Sequence, residues 1–232
     1  MVYHDHIINN LSDDDRLRAI LSGLSYSAPA KSNDISSLQR LNNELDHLSV
    51  LYPKFASKLS NMKVIDSNYD SAVIKNESTG LCYLSSRGTS LKAGQSTTIR
   101  DTYNDTKIAL GYTPNRSITT KNFLVKNMTN HPECSKWEAV GHSLGGRVVE
   151  DIGIKHPEVK VTSFEAGRSL NDKNLYSNLF HSKSNITSHK IIGDPISIGP
   201  SPGISIFHSI NSENSNSYLN PLNNHSLTNY IN

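Results

Sequence analysis

Two cysteines, Cys82 and Cys134, are too few for a disulfide framework, and without a C-x-x-C spacing or matched histidines they make no zinc site. They leave the compartment open. An excess of either charge is also lacking: 23 Lys+Arg against 21 Asp+Glu give a net charge of +2 over 232 residues. No broad cationic field exists to hold a polyanion, so nucleic acid is excluded as the main partner. Missing too are a run of roughly 20 apolar residues that could cross a membrane and a basic n-region followed by an apolar h-region. The expectation is a soluble chain with neither a transmembrane segment nor a signal peptide. Its length suffices for one α/β domain with a full core.

Serine and asparagine are abundant, at 34 and 25 residues. Seven N-x-S/T sequons follow, at Asn10, Asn76, Asn104, Asn115, Asn127, Asn185 and Asn224, but this composition alone produces roughly five, so they carry no weight for a secreted glycoprotein.

Hydrophobic periodicity divides the chain. Leu17, Ile20, Leu21 and Leu24 recur at helical spacing behind Asp13, Asp14 and Asp15, which suit a helix N-terminus. A second helix carries Leu38, Leu41, Leu45 and Leu48, capped by Ser32 or Asn33 and stopped near Pro53. From Tyr69 the period shortens. YDSAVIKN and LCYLSS flank the turn-forming NESTG and predict an antiparallel hairpin. Then come a helix around Thr119 to Asn130, the strand WEAVGH, a helix from Leu144 to His156 and the strand VKVTSFEAG, with SHKIIGD and ISIFHSI as further strands and a short helix over Leu227, Tyr230 and Ile231. Strands alternating with helices over short connections predict an α/β fold: a mostly parallel sheet with an antiparallel N-terminal hairpin, covered by helices. One domain over 1–232 is expected, with 1–68 a helical lead-in and 69–232 the core.

The chemistry gathers at Gly141-His142-Ser143-Leu144-Gly145-Gly146, where an apolar run meets a predicted helix. This is a G-x-S-x-G nucleophile elbow. A serine on a sharp strand-to-helix turn needs neighbours without Cβ atoms, and the turn sets the next backbone N–H, that of Leu144, beside a forming oxyanion. A bare G-x-S-x-G arises by chance in roughly one such chain in ten, so the strand–turn–helix setting is what gives it meaning.

A nucleophilic serine needs an orienting acid and a base, which follow it in this fold in that order. Asp194 ends KIIGD at the carboxyl edge of the sheet, with Asp172 as the reserve acid. His208 and His225 are the candidate bases. His208 alternates with Ile204, Ile206 and Ile210, which predicts a packed strand histidine, whereas His225 lies in a polar loop and is favoured. Its ionisation is expected near the ordinary histidine value of about 6.5. Arg87-Gly88-Thr89, at a strand end, supplies Thr89 as the second oxyanion donor. Such chemistry calls for no cofactor. Metal binding through His4, Asp5 and His6 is set aside, because a chain terminus rarely preorganises ligands.

Together Arg87-Gly88-Thr89, GHSLGG, the F-x-A-G of Phe164 to Gly167 and Gly193-Asp194-Pro195 resemble the class 3 lipases, the fungal-lipase-like branch of the α/β hydrolases, from about Tyr69 onward. The resemblance implies a lipid or ester hydrolase with nucleophile Ser143, acid Asp194, base His225 and oxyanion groups at Thr89 and Leu144. It also implies a lid over roughly Ser90 to Asn104. That segment offers only Leu91, Ala93, Ile99 and Tyr103 as apolar surface, which predicts transient contact with a membrane and modest interfacial activation. The same residues would serve a small-acyl esterase or acyltransferase, and a catalytically silent hydrolase fold used as a binding module is the alternative of a different class. Oligomeric state is left open.

Overall fold

The computed structural model describes residues 11–27, 35–88, 113–168, 183–194, 196–197, 199–209 and 225–231. Helix α1 spans Asp13–Leu24, and Ser12 caps it by accepting a hydrogen bond from the Asp15 amide at 3.1 Å. Helix α2 covers Ile35–Leu51, with Leu41 and Leu45 buried and Leu38 and Leu48 packed at the edge of the same cluster. A short helix, α3 (Ala56–Leu59), leads into the sheet.

Among the described residues, seven strands follow in sequence order across one sheet: β1 Met62–Ser67, β2 Ser71–Asn76, β3 Leu81–Ser86, β4 Lys136–His142, β5 Lys160–Phe164, β6 Lys183–Ile191 and β7 Gly203–His208. The pairs β1–β2 and β2–β3 are antiparallel, and those from β3 to β7 are parallel. Helices α4 (Thr113–Asn130) and α5 (Leu144–Lys155) lie between strands in the chain, and α6 (Thr228–Ile231) closes it. The α/β class, the hairpin around NESTG and the mostly parallel sheet are thus as expected.

Successive strand residues join apolar clusters on opposite faces of the sheet. Ala72, Ile74, Tyr83 and Val140 join α1 and α2 in one apolar cluster, while their neighbours Val73, Cys82, Leu84 and Ala139 join α4 and α5 in another. Helices therefore cover both faces of the sheet, as parallel strands require. A disulfide joins Cys82 in β3 to Cys134 just ahead of β4, with Cα atoms 5.6 Å apart.

Two expectations need correction. The lead-in is not helical throughout: β1 lies within it, because Met62 and Val64 are buried while Lys63 between them is exposed, a period of two in a stretch with few apolar residues. His208 does not share a packed face with its isoleucines. β7 is an edge strand with Ile204 and Ile206 exposed, and His208 is buried alone at its end, 3.0 Å from Nδ1 of His189. Ile210 lies outside the described residues.

Candidate active site

Ser143 stands between β4 and α5 at φ 57°, ψ −125°, a conformation that costs a non-glycine residue free energy and marks a sharp turn. The glycines on either side are needed there. A Cβ on Gly141 would lie 2.5 Å from the Gly145 carbonyl, and one on Gly145 would lie 2.1 Å from the Ser86 carbonyl oxygen. Backbone bonds pin the turn: the Ser143 amide donates to Phe164 at 3.0 Å, and its carbonyl accepts from Gly167 at 3.0 Å and from Arg147 at 3.1 Å. Leu144 begins α5, so its N–H belongs to the first turn, where amides have no partner within the helix and the macrodipole is positive.

Ser143 Oγ lies 2.8 Å from His225 Nε2, and His225 Nδ1 lies 2.9 Å from Asp194 Oδ2. Serine, imidazole and carboxylate thus form one hydrogen-bonded chain, although 82 residues separate Ser143 from His225. Asp194 follows β6 across a tight turn, and its carboxylate accepts from the Ile196 amide at 3.0 Å and the Ser197 amide at 3.1 Å. Burial works to raise its pKa, but the bonds from His225, Ser197 and Ile196 prevail and hold it below the usual carboxylate value. For His225, burial opposes charging, yet Asp194 and Glu165 outweigh it and push the imidazole up to about 9, above the ordinary value expected from sequence.

Further side chains complete the surroundings. His142, the residue before the serine, holds the Tyr26 hydroxyl with Nδ1 at 2.8 Å, and its ring lies 5.0 Å from that of His225 at 38°. Burial first, then the charge of His225, lowers His142 to about 3, so this imidazole stays neutral. The Tyr26 hydroxyl in turn meets the backbone of Gly88, and burial raises its pKa. The end of β3 is fixed by Asp70, which pairs with Arg87 at 3.5 Å and with Arg116 at 3.1 Å. Glu165, directly after β5, is fully buried at φ 48° with Oε2 3.0 Å from His225 Nδ1.

The structure therefore brings Ser143, Asp194 and His225 together, with the Leu144 amide alongside. His208 stands apart, against His189. Thr89, Asp172, the segment from Ser90 to Asn104, and His4, Asp5 and His6 lie outside the described residues. Glu165 and Tyr26 were not singled out from sequence. Glu165 had a readable signal, a carboxylate among the small and apolar residues of FEAG at the carboxyl edge of a parallel strand, where ligands gather. Tyr26 had none, being brought in from the lead-in by helix packing.

Among the described residues, His142, Glu165 and His225 form the one group whose ligand atoms, within 4.8 Å of each other, could embrace a cation. Their present partners suit proton sharing. His225 Nε2 is taken by a serine hydroxyl, and His142 Nδ1 by a tyrosine.

No family model matches the chain, and no curated protein does. The solved structures similar to it include fungal lipases. A Penicillium cyclopium structure of MDLA aligns over 89% of this chain and 83% of its own, at 16% identity and a TM-score of 0.48. A Yarrowia lipolytica lipase aligns over 86% and 80%, at 16% identity and 0.44. A Rhizopus microsporus var. chinensis lipase aligns over 89% and 84%, at 13% identity and 0.38. Likeness at this level says nothing of the substrate.

Proposed function

We propose that the chain is a serine carboxylester hydrolase acting on acyl esters of lipids through an acyl-enzyme. The observation that carries this reading is the hydrogen-bonded chain Ser143–His225–Asp194 built on a serine held at φ 57°. His225 Nε2 takes the hydroxyl proton as Ser143 Oγ attacks the acyl carbonyl. The oxyanion is met by the Leu144 amide at the start of α5, with Thr89 as the second donor. Collapse of the tetrahedral adduct hands the proton from His225 to the departing alcohol and leaves the acyl group on Ser143. A water, deprotonated by the same imidazole, then releases the acid and restores the serine. Asp194 stays ionised throughout, keeping the Nδ1 proton on the side away from the serine and stabilising the imidazolium.

Lipid esters are assigned as substrates on the motif resemblance. No described helix is long and apolar enough to cross a membrane, so contact with lipid is read as transient binding to a surface. The Cys82–Cys134 disulfide favours an oxidising compartment.

The test is labelling of the purified protein with a fluorophosphonate, followed by hydrolysis of esters of increasing acyl length. Labelling that disappears in Ser143→Ala, with rates rising toward long chains, is expected. Preference for acetyl and butyryl esters would point to the small-acyl esterase, and a serine that never labels to the binding module.

A further inference from the structure

Glu165 carries two costs that folding does not explain. Its backbone sits at φ 48°, in the left-handed region where a glycine would be unstrained, and its side chain, with an ionisable carboxyl, has no exposed surface. Folding alone would favour a smaller, neutral residue here. What the glutamate does gain is a place at the imidazole. Its Oε2 is 3.0 Å from His225 Nδ1, the atom that Asp194 Oδ2 approaches to 2.9 Å. Its own amide is tied to the His189 carbonyl at 2.8 Å, which fixes the turn after β5.

We infer that Glu165 is a second acidic partner of His225, placed to orient the imidazole and stabilise its charge beside Asp194 and to take over when Asp194 is lost. This rests on the reading of Ser143 as nucleophile and His225 as base.

The two carboxyls are not equivalent. Asp194 accepts two backbone amides, which favour its ionised form. Glu165 has no such support, and two buried carboxylates on one ring nitrogen repel each other. Burial first, with the neighbouring charge of Asp194, raises Glu165 to about 8, above any ordinary carboxyl. The form ready to accept from Ser143 has His225 neutral with the remaining proton on Glu165, whereas an ionised Glu165 favours the imidazolium. The groups facing Glu165 are His225, Asp194 and the phenol of Tyr230, with His142 and Tyr26 further out. Of these, His142 stays neutral and the two phenols are held above their usual pKa by burial, so the proton resides among Glu165, His225 and Asp194.

A double-mutant cycle tests the inference. Losing the only orienting acid of a serine hydrolase costs about 10⁴-fold in turnover. With Glu165 in place, Asp194→Asn should lose clearly less, and adding Glu165→Gln should bring activity down to that of Ser143→Ala. The criterion is coupling: Glu165→Gln must cost at least about tenfold more in the Asp194→Asn protein than in the wild type. Smaller coupling overturns the inference. Glu165→Gly, at a backbone angle glycine adopts freely, repeats the cycle should the glutamine variant fold poorly.

An NMR titration of the His225 ring, in protein already carrying Ser143→Ala, gives a readout independent of turnover. Glu165→Gln should lower the His225 pKa by about one unit or more, and an unmoved titration rejects Glu165 as a partner. Should Ser143→Ala keep more than about a tenth of wild-type activity, the nucleophile assignment fails instead, while the titration still reports on Glu165.

Discussion

His225 and His208 show how one residue type acquires two fates. Both are largely buried, yet His225 lies between a hydroxyl and two carboxylates, whereas His208 faces His189 and has its pKa lowered by burial. Only an imidazole that gains from charging can take a proton from a serine in the transition state. His225→Ala is therefore expected to abolish turnover by several orders of magnitude with little change in melting temperature. His208→Ala should leave turnover largely intact and cost about 1–3 kcal/mol of stability, measured by chemical denaturation. The opposite pattern would make His208 the base. The rate itself should rise through an ionisation above the usual histidine range, because Asp194 and Glu165 raise the His225 pKa in the folded protein, and Glu165→Gln should move that limb to lower pH. Ser143, Asp194 and His225 could each be chosen from the sequence because glycine spacing, a strand end and loop polarity are local signals. Glu165 offered only its place at a strand end as a signal, since its backbone angle and its contact with the sequence-distant His225 are not visible in one segment.

The element that holds the site is the β4–turn–α5 unit. Its two tight glycines let α5 start directly against the end of β3, so that the serine stands clear while the helix packs down through Val148, Val149 and Ile152. Gly145→Ala would drive a methyl group into the Ser86 carbonyl. The expected result is a loss of about 1–3 kcal/mol together with loss of fluorophosphonate labelling, since β3 and the elbow must separate to admit it. Normal labelling in that variant would show that the turn is looser than the contacts require. Deeper along α5, Glu150 is fully buried and accepts from Arg168 Nε at 2.6 Å, Ser163 Oγ at 2.7 Å and Ser201 Oγ at 3.1 Å. Burial raises its pKa, but Arg168, Ser163 and Lys190 overcome this and keep it below the ordinary value. Glu150→Ala leaves a buried guanidinium without its carboxylate, and about 3–5 kcal/mol should be lost in equilibrium unfolding. Among the elements, those with a strong period were legible: the leucine stripe of α2, the hairpin of β2 and β3, and β4. β1 was not, because Lys63, Asp66 and Ser67 dilute its alternation, and it is a strand by virtue of pairing with β2.

Across the whole molecule, neutral histidines are built into the interior, and this sets its response to acid. His142, His189 and His208 all have depressed pKa values, with burial the first cause in each: His142 falls to about 3 and His189 to about 4. In the unfolded chain they titrate near 6.5, so between that value and their folded pKa the unfolded state binds more protons, and stability drops as pH falls. Asp194 acts in the same direction at lower pH. Its depressed pKa contributes stability above the unfolded value of about 3.9 that is lost as pH falls through the folded one. His225 runs the other way. Its raised pKa contributes most below 6.5, and that contribution fades as pH climbs through about 9. Glu165, protonated in the fold up to about 8 but ionised in the unfolded chain from about 4.5, loses its contribution across that interval and so partly offsets the histidine slope above pH 4.5. Melting temperature should accordingly be highest near neutrality and fall steadily between pH 6.5 and pH 4. His208→Asn, which removes one of these buried imidazoles, should make the acid slope shallower even if the protein melts lower at neutral pH. A melting temperature that stays flat from pH 6.5 to pH 4 would mean that the buried histidines take up protons in place, and that the His189–His208 contact is looser than its 3.0 Å separation implies.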